Sequence, residues 1–150
     1  MKWETLYPFA EESRRELLDV IKEITSDDLP RRAGPNGRSV AELLFHIAAA
    51  ERFWVEYVAE GLPLPKIITR GDRVMGSLTA MKRVLKQARE HTIAFVAELN
   101  PEDLMCERTV APPPGEDGPE RTVTVGWILW HIIEHEIYHR GQIISALGEA

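Results

Sequence analysis

Cysteine is almost missing from this sequence. Cys106 is the single one, so no intrachain disulfide holds the fold together and a hydrophobic core must do so. The 150 residues suffice for that, since a chain of this length buries roughly two-thirds of the surface it exposes when unfolded. Also missing are an apolar run of membrane-spanning length and a charged-then-apolar leader. Their absence argues against a membrane partner and, with the lone cysteine, for a reducing cytoplasm. Positive charge is in deficit, with 18 Lys+Arg against 24 Asp+Glu and a net charge of −6. A surface that repels phosphate on average excludes general nucleic-acid binding. The small basic cluster Arg31, Arg32 and Arg38 reads as a solvated loop. Internal repeats, low-complexity tracts and a convincing strand pattern are absent too. What remains is a single helical domain over residues 1–150.

Four segments carry helical periodicity, and turn formers separate them. The first, from about Glu4 to Ile24, repeats Tyr7, Ala10, Leu17, Leu18, Ile21 and Ile24 at threes and fours with charges opposite. The second opens with a capping box at Ser39 and Glu42 and runs to about Glu60, closed by Gly61 and Pro63. The third, from about Ser77 to Leu99, aligns Leu78, Met81, Leu85, Ala88, Thr92, Phe95, Val96 and Leu99 and stops at Asn100-Pro101. The connection from Glu102 to Val123 holds Ala111-Pro112-Pro113-Pro114-Gly115 and cannot be regular helix, although Val110 and Val123 offer the material for a short ribbon. Thr124 then caps a fourth helix that reaches about Leu147 and ends at Gly148. Four helices of about 20 residues with two long connections describe an all-α four-helix bundle, whose metal sites arise between facing helices.

Three of the five histidines, His131, His135 and His139, recur at intervals of four and share one helical face. Such imidazoles can share a metal but need a further ligand, and His46, inward on the second helix, is the best candidate. Three neutral imidazoles suit Zn²⁺, Ni²⁺ or Fe²⁺ and leave a coordination position open for water or substrate. The plainer alternative is a set of buried histidines satisfied by hydrogen bonds. His135-Glu136-Ile137-Tyr138-His139 also fits the H-E-x-x-H pattern of zinc peptidases. It lacks their downstream ligand context, however, so Glu136 reads as a residue supporting the site from behind or as a surface residue. His91, among charged neighbours, reads as solvated, and Cys106, without an obvious base, as inert. Arg140 suits a carboxylate partner, Gly141 close helix packing, and Trp127 and Trp130 the core. Glu42 is already explained as a cap.

The pairing of Ser39-Val40-Ala41-Glu42-Leu43-Leu44-Phe45-His46 with Trp130-His131-Ile132-Ile133-Glu134-His135-Glu136-Ile137-Tyr138-His139-Arg140-Gly141-Gln142 resembles the DinB superfamily of metalloenzymes. The likeness follows helix order along essentially the whole chain, and the terminal H-x-x-x-H-R-G-Q run is its most specific part. The resemblance implies an up-down-down-up four-helix bundle, usually dimeric, with the metal on His46, His135 and His139. It gives His131 a structural role. Glu134 departs from the pattern, standing where relatives often carry asparagine.

Relatives in that family include thiol transferases and thiol-dependent isomerases, so the leading expectation is transfer of a bacillithiol-like or similar low-molecular-weight thiol to a small electrophile. The nucleophile would be a thiolate or water at the open position of a zinc or nickel ion, since a divalent ion favours the deprotonated form. A metal-dependent hydrolase is the enzymatic rival. A non-enzymatic stress-response bundle with a structural metal is the other. A homodimer is expected because Trp54, Val55 and Val58 lack obvious room in one core.

Overall fold

The computed structural model describes residues 1–69, 71–112 and 115–148; the Pro113-Pro114 step of the proline run lies outside them. The first expected helix is divided. α1 (Trp3–Leu6) stops before Tyr7, and α2 (Ala10–Lys22) restarts beyond it. Pro8 is the physical cause, because its ring disfavours helical geometry at the preceding residue, and Tyr7 sits at φ −135° and ψ 86°.

α3 (Val40–Arg52) begins with the expected capping box. Glu42 N–H donates to Ser39 Oγ (3.1 Å), and Ser39 N–H donates to the Glu42 carboxylate (2.6 Å). The helix continues to the expected end, but residues Phe53–Ala59 are wound as a π-helix, with Glu60 N–H donating to Val55 O, five residues back, at 3.0 Å. Two short helices, α4 (Lys66–Thr69) and α5 (Asp72–Met75), occupy the connection that follows. Gly71 between them lies against the ring of Phe45, where an added Cβ would sit 2.5 Å from the nearest ring carbon. α6 (Leu78–Ala97) is capped by Ser77.

Beyond α6 a short antiparallel ribbon does form. β1 (Glu107–Val110) pairs with β2 (Arg121–Thr124), but Val110 lies opposite Arg121 and Val123 opposite Arg108, so the two valines are not partners. α7 (Val125–Gly148) starts where Thr124 Oγ1 accepts from Trp127 N–H at 3.1 Å.

Two apolar clusters give the connectivity. Leu17 and Ile21 (α2), Leu43, Leu44 and Ile47 (α3), Met81 and Leu85 (α6), and Ile143 and Ala146 (α7) fill one end. Trp3, Ala10, Val55, Val96, Val125, Leu129 and Ile132 fill the other. Residue numbers rise from the second cluster to the first along α2 and α7, and fall in that direction along α3 and α6. The bundle is therefore up-down-down-up. Val55 and Val58 are buried within it, and Trp54 packs edge-on against Trp127 with ring centroids 5.3 Å apart. The two valines thus find room in the core, contrary to the expectation drawn from their size, whereas Trp54 is only half-buried.

Between the clusters lies a layer of buried charge, one residue from each long helix. Arg14 of α2 donates to Glu136 of α7 (Nε 3.0 Å, Nη2 2.6 Å) and to Glu51 of α3 (2.8 Å). Arg89 of α6 donates to the same two carboxylates (2.9 and 3.0 Å) and to Glu11 at the rim (2.8 Å). Thr92 adds a hydroxyl to Glu51 at 2.8 Å. Burial alone would raise the Glu51 pKa, but Arg89 and Arg14 reverse this and hold it below the ordinary carboxylate value.

Candidate metal centre

His46 lies on the second turn of α3, and His135 and His139 lie one turn apart on α7. Packing of α3 against α7 brings their Nε2 atoms together. His135 Nε2 is 2.9 Å from His46 Nε2 and 3.1 Å from His139 Nε2. Among the described residues these three histidines form the group able to hold a metal ion, with candidate ligand atoms all within 4.8 Å of one another.

The donor chemistry fits a cation. The His139 Nδ1–H donates to Gln142 Oε1 at 2.6 Å, which leaves the Nε2 of that ring as a lone pair directed at its neighbours. His135 Nε2 faces two ring nitrogens and carries at most one proton, so if it donates to one of them it has neither a second proton nor a lone pair for the other. A cation among the rings resolves that conflict. Metal–nitrogen bonds of 2.0–2.1 Å require donors about 2.8–3.4 Å apart for bond angles between a right angle and tetrahedral, a range that contains the two separations from His135. The rings are also in the right protonation state. Burial, then the positive charge of Arg38 and the neighbouring His139, push the His46 pKa down to about 4. Burial, then His139 and His46, push His135 down to about 3. His139 is lowered chiefly by burial, against the opposing hydrogen bond to Gln142. All three are neutral at pH 7, as ligation requires.

The other sequence candidates fall elsewhere. His131 stacks on Trp127 (centroids 4.5 Å apart, planes 11° apart) and contacts Glu134 at 3.3 Å, outside the three-nitrogen group. Glu136 is neither a surface residue nor a partner of the histidines. Successive helical residues point about 100° apart, which turns Glu136 from the histidine face into the buried arginine layer, where it is 1% exposed. His91 is not simply solvated, because its Nε2 lies 2.5 Å from Glu60 Oε2. Arg140 pairs with Glu16 at 2.7 Å. Gly141 has open space around it and supports no close packing. Trp127 is half-buried, whereas Trp130 is exposed rather than a core anchor. Glu42 binds Ser39 and Arg32 and leaves His46 alone. Cys106 is exposed.

Two contributors were named in the sequence without a role at the centre: Gln142 as part of the terminal run, and Arg38 as part of a solvated basic loop, where it is indeed exposed. Gln142 orients His139, and its signal was the i, i+3 spacing from that histidine. The exposed Arg38 joins His139, Gln142, Tyr138, Asn36 and Leu43 around a cavity of about 360 Å³ that reaches the centre at His139 and is lined by neither His46 nor His135. A larger apolar cleft of about 600 Å³ lies beyond Trp54, and none of the three histidines lines it. No described helix is long and apolar enough to cross a membrane.

Comparison with known proteins agrees with this architecture. A DinB-like protein from Bacillus subtilis superposes with a TM-score of 0.65 at 22% identity, over 97% of this chain and 90% of that one. TT2238, a four-helix bundle protein, superposes with a TM-score of 0.63 at 20% identity, over 99% of this chain and 100% of that one. Likeness at these identities speaks for the fold alone. No curated protein matches the sequence. The DinB superfamily model matches residues 10–143, nearly the full length of the bundle, and the chain belongs to the DinB superfamily.

Proposed function

We propose that this protein is a cytoplasmic metal-dependent enzyme that joins a low-molecular-weight thiol, bacillithiol-like or similar, to a small electrophile. The observation that carries the reading is the convergence of three neutral Nε2 atoms beside a solvent-open cavity. Three protein donors match a catalytic rather than a structural zinc site, which would be closed by a fourth. His46, His135 and His139 would hold a divalent ion, zinc or nickel by donor type. Bound there, the ion would stabilise a thiolate at neutral pH. The protein's own part is positional. Gln142 fixes the His139 ring, burial keeps the imidazoles unprotonated, and the cavity admits a small molecule from one side. In the transfer, the sulfur forms a bond to the electrophilic carbon, the leaving group departs with its electron pair, and the thiol proton passes to solvent.

The test loads the purified protein with zinc or nickel and screens thiols against electrophiles, with ester and amide substrates in parallel. Metal-dependent thioether formation is expected. Ester or amide hydrolysis without thioether formation would replace this reading by a hydrolase. Stoichiometric metal without any turnover would leave a structural ion.

We also propose a homodimer. Trp130, Ile137 and Ile144 are exposed along α7 at intervals of seven residues. That is the spacing of a helix–helix seam, and a twofold axis would pair the stripe with itself.

A further inference from the structure

Of the three arginines in the loop before α3, two are tied down. Arg31 donates to Asp28 (3.2 Å) and to the carbonyl of Leu147 (3.0 Å). Arg32 donates to the carbonyl of Gly37 (2.7 Å) and to Glu42 (2.9 Å). Arg38 differs from both. Among the described residues no carboxylate or carbonyl pairs with it, and it lines the cavity shared with His139, Gln142 and Tyr138.

Arg38 is exposed at the cavity mouth, so solvent screens its charge, but a cation there still disfavours a divalent ion nearby. Nothing in the cavity offsets it. The three candidate ligands are neutral, and the lining contains Asn36, Tyr138 and Gln142 but no aspartate or glutamate. An anion bound at the mouth would offset Arg38 and the ion together. A guanidinium is suited to supply the contact, since its planar fork matches a carboxylate or phosphate with two parallel hydrogen bonds.

We propose that Arg38 is a substrate-binding residue that selects small molecules carrying a carboxylate or phosphate group and anchors that group at the mouth of the three-histidine centre. The proposal rests on the metal-dependent reading above and names its substrate class. A substrate held there has its anionic end on Arg38 and its reacting end toward the histidines. Neutral substrates of the same size lack the anchor.

The test uses cobalt-substituted protein, whose visible spectrum reports on ligands near the ion without need of turnover. Acetate and methyl phosphate are compared with neutral acetamide, and mercaptoacetate with neutral 2-mercaptoethanol, in the wild type, Arg38→Met and Arg38→Lys. The wild type is expected to bind the anions more tightly than the neutral probes by about tenfold or more, the range for hydrogen bonds to charged groups. Arg38→Met should erase that preference, and Arg38→Lys should keep part of it. Arg38→Met should also bind the metal slightly more tightly, since a repelling charge is gone. Relative affinity for acetate and methyl phosphate shows which anion the fork prefers. Equal binding of anionic and neutral probes by the wild type, a preference that survives in Arg38→Met, or weaker metal binding in that variant would each overturn the proposal. If neither thiol produces a sulfur-to-metal charge-transfer band while the Arg38-dependent anion preference holds, the thiolate reading fails and the role of Arg38 stands.

Discussion

Removing the negative charge of Glu136 by Glu136→Gln should be among the most destabilising single changes in this protein. The wild-type carboxylate is 1% exposed and receives hydrogen bonds from Arg14 at 3.0 and 2.6 Å and from Arg89 at 3.0 Å. The buried layer balances two guanidinium charges against the carboxylates of Glu51 and Glu136, with Glu11 at the rim. Glutamine keeps the shape but leaves the core with an uncompensated positive charge. Breaking a buried pair in this way costs about 3–5 kcal/mol, a large share of the roughly 5–15 kcal/mol that holds a domain folded. At about 2–4 °C per kcal/mol for a chain of this length, Tm should fall by about 6–20 °C. Thermal and urea unfolding give the number, with Glu134→Gln as the control: that residue sits two positions away on α7, is half exposed and should shift stability by no more than about 0.5 kcal/mol. Adding Arg14→Met to Glu136→Gln should restore part of the loss, because the pair is removed together. Acid should act on the same layer. The folded Glu51 pKa lies below its ordinary value of 4.5, so the stability it contributes is present above that pH and is lost as pH falls below it. A Glu136→Gln protein no less stable than Glu134→Gln, or strictly additive effects in the double variant, would refute the buried layer as a source of stability.

His46→Ala, His135→Ala and His139→Ala should each lower bound metal, while His131→Ala and His91→Ala keep the stoichiometry; full metal in the His46 variant by elemental analysis would sink the assignment. Gln142→Leu removes the acceptor for His139 Nδ1–H and should weaken metal affinity by about 10–100-fold, whereas Gln142→Glu should retain it; a competition titration with a chelator distinguishes them. Light scattering should return twice the 17.0 kDa chain mass for the wild type and the monomer mass for Ile137→Glu, whose new charge falls in the exposed α7 stripe; a monomeric wild type at micromolar concentration would end the dimer proposal.

Much of this architecture was legible along the chain because it rests on local rules. The Ser39–Glu42 box, the Thr124 cap and the breakers at Pro63 and Pro101 act within a few residues of themselves, so periodicity and punctuation place the second, third and fourth long helices to within about two residues. The i, i+4 spacing of His135 and His139 follows from helix geometry in the same way. Pro8 carried its own signal too, and the division of the first helix at Tyr7 follows from it. Other features depended on what meets what in space. Nothing in the local sequence around Arg14, Glu51 and Arg89 marks them as partners, and only the packing of four helices brings them together. Glu136 follows a histidine in sequence and faces another direction in space, because a step of one residue turns a helix by about 100°. Val55 and Val58 found room that side-chain volume alone does not reveal. The Val110–Val123 ribbon exists in a register that pairs each valine with an arginine, since ladder register is set by the turn and by packing rather than by matching side chains. Local spacing alone set the helices and put His131, His135 and His139 on one face of α7. Tertiary structure decided that His46 completes the set and that Arg38 stands unpaired beside it, because both depend on distances across the bundle that no local spacing encodes.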